Sequence, residues 1–304
     1  MSDILVIGSL NADLVVRAPR FPAPGETISG GDLVTIPGGK GANQAVAAAR
    51  QGASVSMLGR VGKDNFGDFL LANLQANQVD TALVQRDDAA TGTAIIVVDA
   101  NGQNSIVLSP GANGQVRPAD VDPASLLRPK LVLLQLEIPL ESVIHAAAAT
   151  RGLGARVLLN PAPARPLPDA LVVQTDFLIP NETELSLLTG QPVTDVASAE
   201  SAARTLLAKG VQTVIVTLGA NGALVVTPEQ TIHVPPFRVD VVDTTAAGDA
   251  FIGGFSAALL RGLSLEEAVR HGNACGALAA TKFGAQPSLP TAEEVERFMS
   301  LRGA

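Results

Sequence analysis

Three stretches of the chain combine small residues with side chains that could handle an anion or a polyol. The first is Asp243-Thr244-Thr245-Ala246-Ala247-Gly248-Asp249, which runs straight into the helix-forming Ala250-Phe251-Ile252-Gly253-Gly254-Phe255. Cap-forming and small residues at a helix start leave backbone N–H groups free, and the helix dipole adds a positive end where a phosphate could approach closely. Asp249 falls in the first turn, beside any anion held there. The dipole alone favours an acid at that place, so the local pattern leaves a purely structural Asp249 open. The second stretch is Pro37-Gly38-Gly39-Lys40-Gly41-Ala42-Asn43-Gln44. Glycine permits φ > 0 and close backbone approach, while Lys40 and Asn43 offer donors suited to hydroxyls. A structural turn would look much the same. The third, Asn181-Glu182-Thr183-Glu184, reads as a helix N-cap with acids in the first turn.

Other chemistries are missing. There is no G-x-x-x-x-G-K-[ST] loop, and no G-x-G-x-x-G follows the first apolar run, so neither standard nucleotide fingerprint applies. No G-x-S-x-G elbow is present, which argues against a serine hydrolase. His145, His233 and His271 have no metal-like spacing, and Cys275 is the only cysteine.

The elements that must position these residues alternate in type. Short, nearly continuous apolar runs at Ile4–Ile7, Val55–Leu58, Leu131–Leu136, Val157–Leu159, Phe177–Ile179 and Val214–Leu218 predict strands covered on both faces. Between them, helices are predicted over Asn43–Gln51, Phe66–Gln78, Leu140–Thr150, Glu182–Leu188 and Ala199–Lys209. Three more follow at Ala247–Arg261, Leu265–Thr281 and Ala292–Leu301. The pattern predicts an α/β fold with a doubly wound, mostly parallel sheet flanked by helices. Residues 13–36, broken by Pro19, Pro22, Pro24 and Gly25, stand outside the alternation. So does 92–109, which reads as a hairpin of Ala94–Val98 and Ser105–Leu108 around Asp99-Ala100-Asn101-Gly102. Both are expected to form a small β-sheet lid. Asn11 and Asp13, Glu137, Asn181 and Thr217-Leu218-Gly219 all fall at carboxyl ends of separate strands, where open α/β sheets bind ligands.

Composition narrows the partners. The 304 residues are 47% hydrophobic and 16% charged, enough for a sizeable core and too apolar for disorder. A net charge of −8, no Trp, no Tyr and nine Phe argue against nucleic acid, which needs a basic field or stacking aromatics. No stretch reads as a membrane span. The lone cysteine and the lack of a leader-like N-terminus lead us to expect a cytoplasmic protein.

Taken together, Gly39–Asn43 and Asp243–Asp249 resemble the two signatures of the ribokinase-like (PfkB-type) carbohydrate kinases, in the right order at opposite ends of the chain. Gly59-Arg60-Val61-Gly62, Gln135-Leu136-Glu137, Asn160-Pro161-Ala162-Pro163-Ala164 and Gly284-Ala285-Gln286-Pro287-Ser288 are similar to the branch acting on ribose, more than to those acting on fructose, adenosine or ketodeoxygluconate. The likeness covers essentially the whole chain. It implies one ribokinase-like domain over 1–304, with lid segments near 13–36 and 92–109. The implied activity is transfer of the ATP γ-phosphoryl group to the 5-hydroxyl of D-ribose. Alternatives are a 2-deoxyribose or other furanose kinase, or a non-catalytic sugar- or nucleotide-binding protein on the same fold.

The resemblance also distributes roles. Asn11, Asp13, Gly39, Lys40, Asn43 and Glu137 would hold the sugar, and Asp249 would be the general base. Ala246, Ala247 and Gly248 would form the anion hole. The nucleotide would lie against Asn181, Thr217, Leu218, Gly219, Ala220, Asn221, Gly222, Gly248 and Asn273, with Asn181 and Glu184 on the Mg²⁺ side. A K⁺ ion would sit among Asp243, Thr245, Ala279, Lys282, Gly284 and Ser288. Two positions depart from the family pattern: Ala246 stands where glycine is commoner, and Asn273 where histidine is frequent. The helix dipole is expected to keep Asp249 ionised, the lid to exclude water, and two lids to pack together in a homodimer.

Overall fold

Alternate side chains of the first strand serve opposite layers. In β1 (Ile4–Ile7), Ile4 and Val6 join one buried cluster while Leu5 and Ile7 join another. A strand buried on both faces belongs in the middle of a helix-covered sheet. The structure, a computed structural model, describes residues 2–126 and 128–302. After β1 come β2 (Asn11–Arg17), β3 (Val34–Gly38), α1 (Lys40–Arg50), β4 (Val55–Gly62), α2 (Asn65–Ala76), β5 (Asp80–Asp87), β6 (Gly92–Val98) and β7 (Asn104–Ser109). The centre of the chain adds β8 (Leu131–Leu134), α3 (Leu140–Gly152), β9 (Arg156–Leu159), α4 (Asp169–Val172), β10 (Phe177–Leu178), α5 (Glu182–Thr189) and α6 (Val196–Leu207). The last part holds β11 (Thr213–Thr217), β12 (Ala223–Val226), β13 (Thr231–Val234), α7 (Ala247–Leu260), α8 (Leu265–Ala280) and α9 (Ala292–Arg302).

The large sheet runs β13-β12-β11-β10-β9-β8-β1-β4-β5, parallel from β5 to β11, with β12 and β13 added antiparallel at one edge. Helices α1, α2, α7, α8 and α9 contribute to the first cluster, and α3 to α6 to the second. This is the predicted α/β architecture. The smaller sheet, β3-β2-β6-β7, takes its strands from the two regions that broke the alternation. Its β6–β7 hairpin is antiparallel, as predicted, and β2 pairs antiparallel with β3 but parallel with β6. The span 18–33 between β2 and β3 carries no regular element.

Several details differ from the sequence expectation. The β8 strand stops at Leu134, which frees Gln135, Leu136 and Glu137 from the ladder. Helix α1 starts three residues before the expected Asn43, so Lys40 is its first residue. Three strands were not anticipated. One of them, β5, has a half-exposed and strongly polar sequence, because it closes the sheet as an edge. The others are β12, a buried apolar run as short as β1, and β13, which closes the opposite edge with the polar Thr231 and His233.

Candidate active site

Helices α1 and α7 come unusually close, and that approach builds the centre of the site. A Cβ on Gly253 of α7 would lie 2.4 Å from the Ala47 side chain of α1. One helical turn earlier on each helix, the same faces present Asp249 and Asn43. There Asn43 Nδ2 donates to Asp249 Oδ2 at 2.9 Å, and the adjacent Gln44 Nε2 donates to Oδ1 at 3.0 Å. Asp249 is 6% exposed. Burial pushes its carboxyl above the ordinary range, against the pull of the Lys40 ammonium and the two amide donors, while Glu137 adds to the rise. Desolvation therefore outweighs the helix-start effect from which an ionised Asp249 was expected.

On one side of Asp249 lie the residues expected to hold the sugar. Gly39 caps α1 with φ 86°, and a Cβ there would lie 2.7 Å from the Asn11 nitrogen, so only glycine lets the helix start pass this close to β2. Asp13 points across β3, into space that a Cβ on Gly38 would fill at 2.1 Å from Oδ2. It is buried, and desolvation raises its carboxyl to about 7, with Glu137 and Asp249 adding repulsion. Glu137 Oε2 accepts from the Ser9 hydroxyl at 2.5 Å and from the Lys40 N–H at 3.0 Å. Burial works against the charge of the Lys40 ammonium, but Asp249, Glu137 and Glu184 outweigh it and hold the group above its ordinary value. Asn43 Oδ1 is buried with no partner among the described residues, an acceptor left over beside these groups. Sequence reasoning missed Ser9 and Asn113. The latter fixes Asn11 by donating to its Oδ1 at 2.7 Å, while its amide also pairs with both backbone groups of Leu10. No motif marks Asn113; it lies 102 residues away from Asn11.

On the other side opens a cleft of about 190 Å³ that brings together Lys40, Asn181, Glu184, Thr217, Ala246, Gly248 and Asp249 from the predicted set. Thr244 and Asn160 join them. Ala246 caps α7 in the left-handed region at φ 58°, a conformation costing a non-glycine residue about 1–2 kcal/mol. The N–H of Ala247 is engaged with the Thr244 carbonyl at 3.1 Å. That leaves the first-turn N–H groups of Gly248 and Asp249 without an acceptor among the described residues, aimed out of the helix start. Of the expected trio only Ala247 is thus engaged; Ala246 and Gly248 keep their N–H groups without an acceptor among the described residues, and Asp249 joins them.

Asn181 and Glu184 form a reciprocal capping box at the start of α5, each side chain bonding the other's N–H at 2.8 Å. Burial raises the Glu184 carboxyl, opposed by the Asn181 N–H and by Lys40. Beyond β11, Leu218 buries its side chain in the second core cluster, and Gly219, Ala220, Asn221 and Gly222 form the turn into β12. Asn273 does not reach the cleft with a free amide: its Nδ2 donates to the carbonyls of Val234 at 3.3 Å and Pro235 at 3.1 Å. The ion-site segments do meet, since Asp243 Oδ2 accepts from the Gly284 N–H at 2.9 Å. Its Oδ1 accepts from Thr245 N and Oγ1 at 2.9 and 2.6 Å. Partial burial would raise this carboxyl, but the Thr245 and Gly284 donors outweigh it and hold it below its ordinary value. Lys282 turns its ammonium away to Glu294 Oε1 at 2.6 Å. The Ala279 carbonyl accepts from Lys282 N, and Ser288 Oγ donates to the Ala285 carbonyl at 2.7 Å.

Residues 1–292 match the family described as pfkB family carbohydrate kinase. A deoxyribokinase of Salmonella typhi is 43% identical over 303 residues, covering 98% of this chain and 99% of that one. A ribokinase of Haemophilus influenzae is also 43% identical, over 299 residues, covering 97% and 98%. The structure of Arabidopsis thaliana ribokinase complexed with ribose and ATP superposes with a TM-score of 0.90 at 34% identity, covering 98% of each chain.

Proposed function

This chain belongs to the pfkB family of carbohydrate kinases, and from that premise we propose that it transfers the γ-phosphoryl group of ATP to the 5-hydroxyl of D-ribose. The observation that carries this reading is Asp249: a buried carboxylate, held by two amides, between the polar groups of Asp13, Lys40 and Glu137 and a helix start with N–H groups unengaged among the described residues. Phosphoryl transfer asks the protein mainly for positioning and for charge stabilisation. Asp249 accepts the proton of the 5-hydroxyl as that oxygen attacks phosphorus. Its raised affinity for a proton suits a base that must take one. The N–H groups of Gly248 and Asp249, with the dipole of α7, receive the transferred group. Lys40 and Asp13 orient the sugar, together with Asn11, Gly39, Asn43 and Glu137.

The nucleotide lies along Asn181, the Thr217–Gly222 turn and Gly248, with Asn273 backing it through β13. Glu184, with one oxygen engaged by Asn181 N, and Asn181 would hold a hydrated Mg²⁺, which supplies positive charge to the phosphates. A K⁺ ion would be held by the carbonyls of Thr245, Ala279, Lys282, Gly284 and Ser288 with Asp243. Oxygens at flexible spacing suit this ion better than Mg²⁺, and the Asp243–Gly284 bond already joins the two segments that carry them. The exposed apolar side chains Val34, Ile95, Ile106, Val107 and Leu108 on the smaller sheet, with Leu33 just before it, favour a homodimer in which two lids cover one another. The lone, buried thiol of Cys275 suits a reducing compartment, and we assign the enzyme to the cytoplasm.

A second reading, 2-deoxyribose as acceptor, is favoured by one observation: the deoxyribokinase relative is as similar as the ribokinase one. The two sugars differ by one hydroxyl, which a site bonding that hydroxyl can reject strongly. ADP release measured with ribose, 2-deoxyribose, fructose and a nucleoside tests both readings. Turnover fastest with ribose is expected; no turnover with any sugar would overturn the assignment.

A further inference from the structure

Behind Asp249 runs a chain of buried amides for which the proposed reaction has no direct use. Gln44 is fully buried on α1, and its Nε2 reaches Asp249 Oδ1 at 3.0 Å and Asn160 Oδ1 at 3.2 Å. Its Oε1 accepts from Gln135 Nε2 at 2.6 Å, and Gln135 is fully buried too. Asn160 in turn donates from Nδ2 to the Ile179 carbonyl at 3.1 Å. These groups follow three neighbouring strands: Gln135 after β8, Asn160 after β9 and Ile179 after β10.

The chain can run in only one direction. A backbone carbonyl only accepts, so Asn160 must turn its NH₂ to Ile179 and its oxygen to Gln44. Gln44 must then present its NH₂ to Asn160 and Asp249 together, and its oxygen to Gln135. Gln135 has no choice but to offer its NH₂, which leaves its own oxygen buried without a partner among the described residues. That orphan costs stability, and the backbone makes room for it: a Cβ on Gly8 would lie 2.0 Å from Gln135 Oε1. A flipped Gln44 would set its oxygen against a carboxylate oxygen and the Asn160 oxygen at once.

We propose that Gln44, locked by Gln135 and Asn160, is a positioning residue that fixes the rotation of the Asp249 carboxylate and stabilises its proton-accepting form. This rests on the reading of Asp249 as the base. Asp249 is faced by Lys40 from α1, Glu137 from beyond β8, Asp13 from β2 and Glu184 from α5. Of these charges only Lys40 favours ionisation, so the uncharged donors Gln44 and Asn43 supply the remainder. Both lower the carboxyl's proton affinity.

The test is Gln44→Met, which keeps length and burial but removes the donor, assayed with ribose and Mg-ATP beside Asp249→Asn and the double variant. A hydrogen bond to a charged group is worth about 10- to 100-fold. The turnover of Gln44→Met should fall by about that factor, with KM for both substrates within about three-fold, because the bond matters to proton transfer more than to binding. The acid limb of its kcat–pH profile should move to higher pH by about one unit. In the Asp249→Asn background the same change should add no further loss, since its effect acts through that carboxylate. Gln135→Met, which leaves Gln44 in place but frees its amide to turn, should show a milder version of the same pattern and serves if Gln44→Met does not fold. If Asp249→Asn is inactive while folded Gln44→Met or Gln135→Met keeps wild-type turnover and pH limb, the positioning role is overturned and the base is not. If Asp249→Asn itself keeps turnover, the base reading falls, and this inference falls with it.

Discussion

Asp13→Asn should make the protein more stable and less useful at the same time. Asp13 is 9% exposed, and burial with the charges of Glu137 and Asp249 lifts its carboxyl from 3.8 to about 7. A folded group that binds its proton more tightly than the unfolded chain does loses the protein stability as pH rises. Here the loss accumulates through the window from 3.8 to about 7 and is complete above it. At about 1.36 kcal/mol per pH unit between the two values, the ionised carboxylate opposes folding by up to ~4 kcal/mol. The effective dielectric around even a buried group screens part of that, leaving about 2 kcal/mol. Asparagine has the same shape and no charge to desolvate. In a domain of this size ~1 kcal/mol moves the melting midpoint by about 1.5–2 °C. Melts followed by circular dichroism at pH 5, 6.5 and 8 should therefore show the variant above wild type by about 3–4 °C at pH 8 and nearly level with it at pH 5. Ribose should raise the midpoint of wild type more than that of the variant, because the amide keeps one acceptor oxygen where the carboxylate offers two and a charge. A variant melting at or below wild type at pH 8, or a gap that does not change with pH, would refute the reasoning.

Three further outcomes are expected. Asp249→Asn keeps the hydrogen-bond partners' shape but cannot take a proton, so kcat should fall about 10²- to 10⁴-fold; calorimetric affinities for ribose and ATP should change far less, and turnover above about a tenth of wild type would sink the assignment. Replacing Na⁺ by K⁺ at constant ionic strength and saturating Mg-ATP should raise kcat several-fold, and Asp243→Ala, checked for folding, should abolish the response; equal rates in the two salts argue against the ion site. Light scattering at micromolar concentration should give the mass of two chains, and charging the lid face with Val107→Glu should halve it, whereas a wild-type monomer would remove the lid-to-lid pairing.

What the sequence made legible was local and periodic. Continuous apolar runs located β1, β8 and β11, and the Gly-rich and small-residue stretches marked both helix starts that meet at Asp249. The edge strand β5 escaped notice because an edge needs no apolar period: it exposes Asp80, Ala82, Gln85 and Arg86. Asn113 and Ser9 escaped for a different reason, and Asn160 and Gln135, though they stand in segments of family likeness, showed no role. Each acts by bonding a residue brought near only by the tertiary fold, as when Ser9 meets Glu137 across 128 positions. The raised proton affinity of Asp249 was likewise invisible, because dipole and neighbours can be read along a chain but burial cannot.

The bonds that hold the carboxylate of Asp249 join positions 206 and 205 residues apart. Nearly the full length of polypeptide must therefore be made, and most of the large sheet assembled, before those two amides can find their acceptor. Closing loops of such length is slow beside the formation of single helices. In the history of each molecule, then, those two bonds form only once α1 and α7 have met, however much secondary structure is already in place. Activity consequently reports the completion of the native topology, not its amount of helix or strand.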